Sequence, residues 1–174
     1  MSDYSQHILV LVHPGSACGS ADYNLGKVNA REARENLIQT LDQFNGGLLV
    51  IDGELSDELD FYPQFNRSIE GALRTAKGLG LISQRVMGND PDQVLRITEF
   101  VASMSELEKA DTAFTVTGAW LHPEDGTGCV GSVHQQLLAL GCKSQVDDSA
   151  VSIFLETEDI LTEHASPAQG SSWK

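Results

Sequence analysis

Basic residues are scarce in this 174-residue chain, which holds 11 Lys and Arg against 25 Asp and Glu for a net charge of −14. Duplex nucleic acid is a poor partner for such a surface, because binding depends on neutralising phosphates with Lys and Arg. Anionic lipid surfaces are disfavoured for the same reason. The acids are spread over both halves of the chain, so they indicate a solvated surface rather than an acidic tail.

Long apolar runs and paired cysteines are also missing. No run approaches the ~20 residues of a membrane helix, and the polar start "MSDYSQ" lacks the basic region of a signal peptide. We therefore expect no membrane partner and a cytoplasmic location. The three cysteines, Cys18, Cys129 and Cys142, form no CxxC pair. This argues against a disulfide framework or a closed zinc site, so reduced thiols and no metal or cofactor are expected.

What the chain does contain is an alternation of apolar strands and amphipathic helices. Strands are predicted at 7–15 ("HILVLVHPG"), 47–55 ("GLLVIDGEL") and 112–120 ("TAFTVTGAW"). Helices are predicted at 28–47, 62–80 and 129–141, the first with Asn29 as its N-cap. This order predicts a three-layer α/β fold, a doubly wound, mostly parallel sheet with helices on both faces. We expect one domain over residues 1–165 and a frayed tail at 166–174.

Two segments between these elements are ambiguous. Residues 81–88 ("LISQRVMG") fit a short third strand, although Gln84-Arg85 interrupts the apolar pattern. Residues 90–111 read either as helix throughout, with Asp90 as the N-cap before Pro91, or as a short strand "QVLRI" followed by a helix. Periodicity does not decide between these two readings.

In such sheets ligands sit outside the carboxyl ends of the strands, which draws attention to the loops 14–25, 52–63 and 121–128. His13 ends the first strand and is either an acid, base or ligand, or a satisfied, partly buried histidine. The small residues from Ser16 to Gly26 offer backbone N–H groups to an anion, which leaves a nucleotide- or phosphate-binding domain as one hypothesis. Neither GxGxxG nor GxxxxGK[ST] is present.

The second loop carries five acids. Asp52 and Glu54 are carboxylates at alternate positions, an arrangement that a hard cation can use. The spacing of an EF-hand is absent, and we favour a solvated acidic face.

Cys129 opens a predicted helix after a glycine-rich loop. The free N–H groups and positive dipole of a helix start favour a thiolate, the nucleophilic form. Gly128 permits close backbone approach, and N–H groups near Val130 could bind an oxyanion. His122 and Glu124, nearby in sequence, are candidates for an acid or base and a ligand contact. The alternative is that Cys129 simply packs beneath the loop.

The segment "FTVTGAW…GCVGSVHQQLLALGCKSQVDDSAVS" resembles the isochorismatase-like cysteine hydrolases. In that family a strand ends in a "VTG" turn, here at Gly118, and a "CV" pair opens a helix, here Cys129-Val130. The resemblance covers residues 94–152. It implies a parallel sheet flanked by helices and a catalytic triad of Asp, Lys and Cys, acting on a small-molecule substrate.

Only the cysteine of that triad has a direct counterpart. The first strand ends in His13 where the family has Asp, and the nearest Asp is Asp22. The position of the family's Lys falls at best on Arg96, which stays protonated and cannot shuttle protons. Either the chain has lost hydrolase activity and acts as a binding or interaction protein, or it has rebuilt the acid–base set from His13, His122 or Glu124. Relatives of this shape are often oligomeric, so the resemblance leaves a homo-oligomer as an option.

Overall fold

The structure, a computed structural model, describes residues 6–18, 27–122, 125–150 and 152–153, with the backbone alone for 27–30 and 152–153. The strands are β1 Gln6–Val12, β2 Gly47–Asp52, β3 Ser83–Met87, β4 Thr112–Leu121, β5 Lys143–Val146 and β6 Ser152–Ile153. The α-helices are α1 Lys27–Gln43, α2 Pro63–Gly78, α3 Asp92–Ala102, α4 Glu106–Asp111 and α5 Cys129–Ala139, and short 3-10 helices lie at Pro14–Ala17 and Ser56–Phe61. The predicted tail, 166–174, lies outside the described residues.

The strands form a parallel sheet in the order β3-β2-β1-β4-β5, with β6 pairing beside β4. The chain builds outwards from β1 to β3, then returns to place β4 on the other side of β1. This confirms the predicted doubly wound α/β fold. The direction of winding reverses between β1 and β4, so the sheet has its topological switch point there.

The core lies on both faces of the sheet. Ile8, Val10 and Val12 of β1 point to one face and Leu9 and Leu11 to the other, because successive strand side chains alternate. Helices α3 and α5 cover the first face, and α1 and α2 cover the second. Each buried aliphatic side chain contributes about 1.5–3 kcal/mol, which explains the unbroken apolar runs of β1 and β2. None of the described helices is long and apolar enough to cross a membrane.

The structure corrects several local predictions. Helix α1 begins at Lys27, so Asn29 lies in its first turn and is not the N-cap. The short-strand alternative for 90–111 is wrong, because this segment forms α3 and α4. Pro91, rather than Asp90, is the N-cap of α3. The third strand is present as β3, and its polar pattern follows from its place at the edge of the sheet.

Candidate active site

A crevice of about 410 Å³ opens at the carboxyl end of the sheet, beside the switch point between β1 and β4. Its described walls come from the end of β4 and from the segments that follow β1, β2, β3 and β4. The lining residues are His13, Ser16, Glu54, Leu55, Asp90, Trp120, Gly128 and Cys129. The fold therefore brings together four of the predicted site residues, His13, Ser16, Gly128 and Cys129.

His13 is fixed at the floor of this crevice. Its backbone N–H donates to the Ile51 carbonyl at 2.8 Å, and its ring Nε2 lies 2.7 Å from the Gly88 carbonyl oxygen. A carbonyl oxygen can only accept, so Nε2 carries the proton and a neutral ring keeps its lone pair on Nδ1. Within the described residues Nδ1 makes no hydrogen bond, although the side chain is buried. This nitrogen is therefore an acceptor open to a ligand in the crevice.

Backbone strain is concentrated at this crevice. Among the described residues, the non-glycine residues with positive φ are His13, at 48°, and Trp120, at 72°. Both line the crevice. Left-handed backbone costs a side-chain-bearing residue about 1–2 kcal/mol and clusters at functional sites. This observation favours a binding or catalytic role for the crevice over a packing defect.

Cys129 is the first residue of α5, as predicted. Gly128 precedes it with φ 97° and ψ −179°, a conformation open to glycine, and a Cβ there would lie 2.1 Å from the Trp120 carbonyl oxygen. The Ser132 N–H donates to the Gly128 carbonyl at 2.8 Å and makes the first bond of the helix. The N–H groups of Cys129 and Val130 consequently have no intrahelical acceptor. The Val130 side chain itself is buried in the core.

The sequence argument predicted a lowered pKa for the Cys129 thiol, and the structure shows the opposite shift. Burial and then the charge of Asp90 raise the pKa of the Cys129 thiol to about 12, against an ordinary value of 9.0. Desolvation disfavours a thiolate, and a nearby carboxylate disfavours it further. These two effects outweigh the helix N-terminus on which the sequence argument relied. At neutral pH the Cys129 sulfur therefore keeps its proton.

Asp90 is the site residue that the sequence argument missed. Gln93, itself buried, donates from Nε2 to Asp90 Oδ1 at 3.0 Å and to Ser132 Oγ at 3.2 Å. Ser132 Oγ in turn donates to the Cys129 carbonyl at 2.9 Å. Gln93 thus ties the Asp90 carboxylate to the first turn of α5. The available signal was an acid directly after a strand, but the polar edge strand β3 obscured it.

Arg96 and His122, predicted as catalytic, lie outside the crevice lining. The Arg96 guanidinium donates to the Met87 carbonyl at 2.8 Å and pairs with Glu99 at 2.8 Å. The His122 Nδ1 lies 3.8 Å from a carboxylate oxygen of Asp125 in the same loop. The backbone of this loop turns back on itself, since the Gly126 N–H donates to the His122 carbonyl at 2.9 Å.

Two predicted ligand contacts remain, Gly118 and Glu124. Gly118 lies on β4 opposite Val12, where a Cβ would approach the Val12 carbonyl oxygen to 2.0 Å. Its absent side chain therefore serves strand packing, and it does not line the crevice. Glu124 lies outside the described residues.

The link between Asp90 and Cys129 gives a first prediction. Asp90→Asn removes the charge while keeping an oxygen for Gln93, so the pKa of the Cys129 thiol should fall, although burial still holds it above normal. We expect iodoacetamide to label Cys129 roughly threefold to tenfold faster at about pH 8.5, because each pKa unit is tenfold in thiolate. Asp92→Asn, two residues along and outside the crevice, is the matched control. Equal rates in all three proteins would contradict the coupling.

Comparison of the sequence with protein-family models and with curated proteins gives no significant match. The resemblance to isochorismatase-like hydrolases thus stays a prediction. Among the described side chains, no group of three or more His, Cys, Asp or Glu residues is arranged to hold a metal ion.

Proposed function

We propose that this chain is a small-molecule hydrolase of the isochorismatase-like type, with Cys129 as nucleophile and Asp90 as its general base. One observation carries the proposal. A thiol, a carboxylate and an imidazole, from the segments after β4, β3 and β1, line one crevice at the switch point of the sheet. Ligands of doubly wound sheets bind at that place.

The raised pKa of Cys129 shapes the mechanism. The resting nucleophile is a neutral thiol, and it needs a base at the moment of attack. Asp90 suits this role, because its charge acts on the thiol and Gln93 holds its Oδ1. As Sγ bonds to a substrate carbonyl carbon, the thiol proton passes to Asp90. That proton then leaves with the departing amine or alcohol, and water later cleaves the thioester to regenerate the thiol.

The start of α5 supplies the electrophilic part of the site. The N–H groups of Cys129 and Val130 have no intrahelical acceptor, so they are available to the oxyanion that forms when sulfur attacks a carbonyl. The imidazole of His13 faces the same crevice and accepts at Nδ1, where it can orient a substrate N–H or the hydrolytic water.

A second function, a ligand-binding protein without catalysis, is favoured by two observations. A thiol whose pKa is about 12 is a poor nucleophile unless a base takes its proton during attack. Neither a lysine nor an arginine is present in the described lining to take the part of the family's Lys.

Turnover separates these two functions. A panel of small primary amides, esters and vinyl ethers should include substrates that the wild-type protein hydrolyses. Cys129→Ala should lower kcat/KM by at least about 10³-fold, as expected for loss of a nucleophile. Cys142→Ala, a buried thiol outside the crevice, is the control and should retain activity. Absence of turnover across the panel would favour the binding protein, whereas turnover that survives in Cys129→Ala would remove Cys129 as the nucleophile.

A further inference from the structure

The mouth of the crevice is acidic. Glu54 follows β2 and Asp90 follows β3, so the two carboxylates stand at the ends of neighbouring strands, and both residues are exposed. The described lining contains no Lys or Arg to balance them. Two like charges at the rim of a low-dielectric crevice focus a negative potential into it.

Arginines on the neighbouring elements have partners of their own, and Arg34 of α1 donates to the Ala17 carbonyl, next to Ser16, at 2.8 Å. Arg85 on β3 pairs with Asp52 at 2.6 Å and with Glu70 at 2.7 Å. Arg96 is held by Met87 and Glu99, as described above.

The interior of the crevice adds an acceptor and apolar walls. His13 is 4% exposed, its Nε2 proton is used by Gly88, and its unpaired Nδ1 is an acceptor. Leu55 and Trp120 are the large apolar residues of the described lining. An indole ring attracts cations through its face, and a leucine side chain contacts apolar substrate atoms. The described lining thus offers a ligand negative charge at the mouth and an acceptor inside.

We propose that the crevice selects a cationic ligand, an amide or ester that bears an ammonium or amidinium group, and rejects carboxylates and phosphates. That this ligand is a substrate with a scissile carbonyl rests on the proposed function. The positive group lies against Glu54 at the mouth, and the scissile carbonyl lies beside Cys129. A cavity of about 410 Å³ has room for such a molecule.

Charged thiol reagents test this preference without a known substrate. The Cys129 sulfur displaces methanesulfinate from trimethylammonioethyl or sulfonatoethyl methanethiosulfonate, forming one S–S bond as one S–S bond breaks. Rates at Cys129, followed by peptide mass spectrometry, are divided by those of the urea-unfolded protein. At low ionic strength the cationic reagent should react at least about tenfold faster, with the ratio falling as salt is added.

Matched variants separate the crevice from the overall charge of the chain. Glu54→Gln and Asp57→Asn each remove one acid from the same loop, but only Glu54 lines the crevice. The reagent ratio should fall severalfold in Glu54→Gln and stay at the wild-type value in Asp57→Asn. A ratio near one in the wild-type protein, or equal ratios in both variants, would overturn the proposal.

A second measurement avoids thiol chemistry. Benzamidinium and benzoate have nearly the same shape and opposite charge, and benzamidinium alone should raise the Tm, less so in Glu54→Gln. An equal response to both compounds, or to neither, counts against the proposal. Both measurements are independent of turnover: a retained charge preference without hydrolysis removes the proposed function only, whereas hydrolysis without the preference removes this inference only.

Discussion

A Gly131→Ala variant should lose about 3 kcal/mol of unfolding free energy, the upper end of the usual cost of overpacking. Gly131 is the third residue of α5, and a Cβ there would lie 1.8 Å from the Gly126 carbonyl oxygen. The obstacle is backbone, so no side-chain rotation relieves it. The loop from Leu121 to Gly128 would have to move away from the helix that it covers.

The control for this variant is the same substitution in another helix. Gly71 lies inside α2, and a Cβ at that position would have no atom within 4 Å. Gly71→Ala should therefore stabilise the protein by about 0.5–1 kcal/mol through helix propensity alone. Urea unfolding of the three proteins checks both signs. A Gly131→Ala protein as stable as wild type would show that the loop does not lie against α5.

The second large effect is a decrease in the free energy of unfolding at alkaline pH, which the titration of the Cys129 thiol causes. Below an ordinary thiol pKa of 9.0, the folded and unfolded chains both hold the proton, and stability is unaffected. Above it the unfolded chain releases the proton, while the folded chain keeps it up to about pH 12. Folding then binds a proton, so stability falls with rising pH by about 1.4 kcal/mol per unit, to about 4 kcal/mol in all.

Denaturant unfolding between about pH 8 and pH 10.5 measures this slope. Cys129→Ala should lose the Cys129 component and show a shallower decline than wild type. Val133→Ala is the matched control, because it opens a cavity in the same helix without removing an ionisable group. Parallel curves for wild type and Cys129→Ala would mean that the thiol titrates alike in both states.

The sequence predicted the layers of this protein better than its site. Apolar runs such as Ile8–Val12 identify buried strands, because burial on both faces removes polar alternation. The edge strand β3 escapes this logic, since exposure permits Gln84 and Arg85 within it. The sequence also contained a signal for the start of a second helix after α3, because Ser105 and Glu108 form a capping box at the N-terminus of α4.

The prediction of site residues failed where it depended on which strands are neighbours in the sheet. His13 and Cys129 were found because each follows an obvious strand or opens an obvious helix. Asp90 was read as a helix cap, and only the strand order shows that it shares a crevice with both. The pKa of Cys129 was predicted in the wrong direction, because helix position is visible in a sequence and desolvation is not.

The left-handed turn at position 13 bears on how the chemistry of this crevice can change. With φ at 48°, the backbone there suits Asn, Asp and His better than most residues. The isochorismatase-like resemblance places an aspartate at this same point of the chain. The bend itself would accept a carboxylate in place of the imidazole, but a carboxylate has no proton for the Gly88 carbonyl, so that exchange would leave a buried oxygen without its side-chain donor.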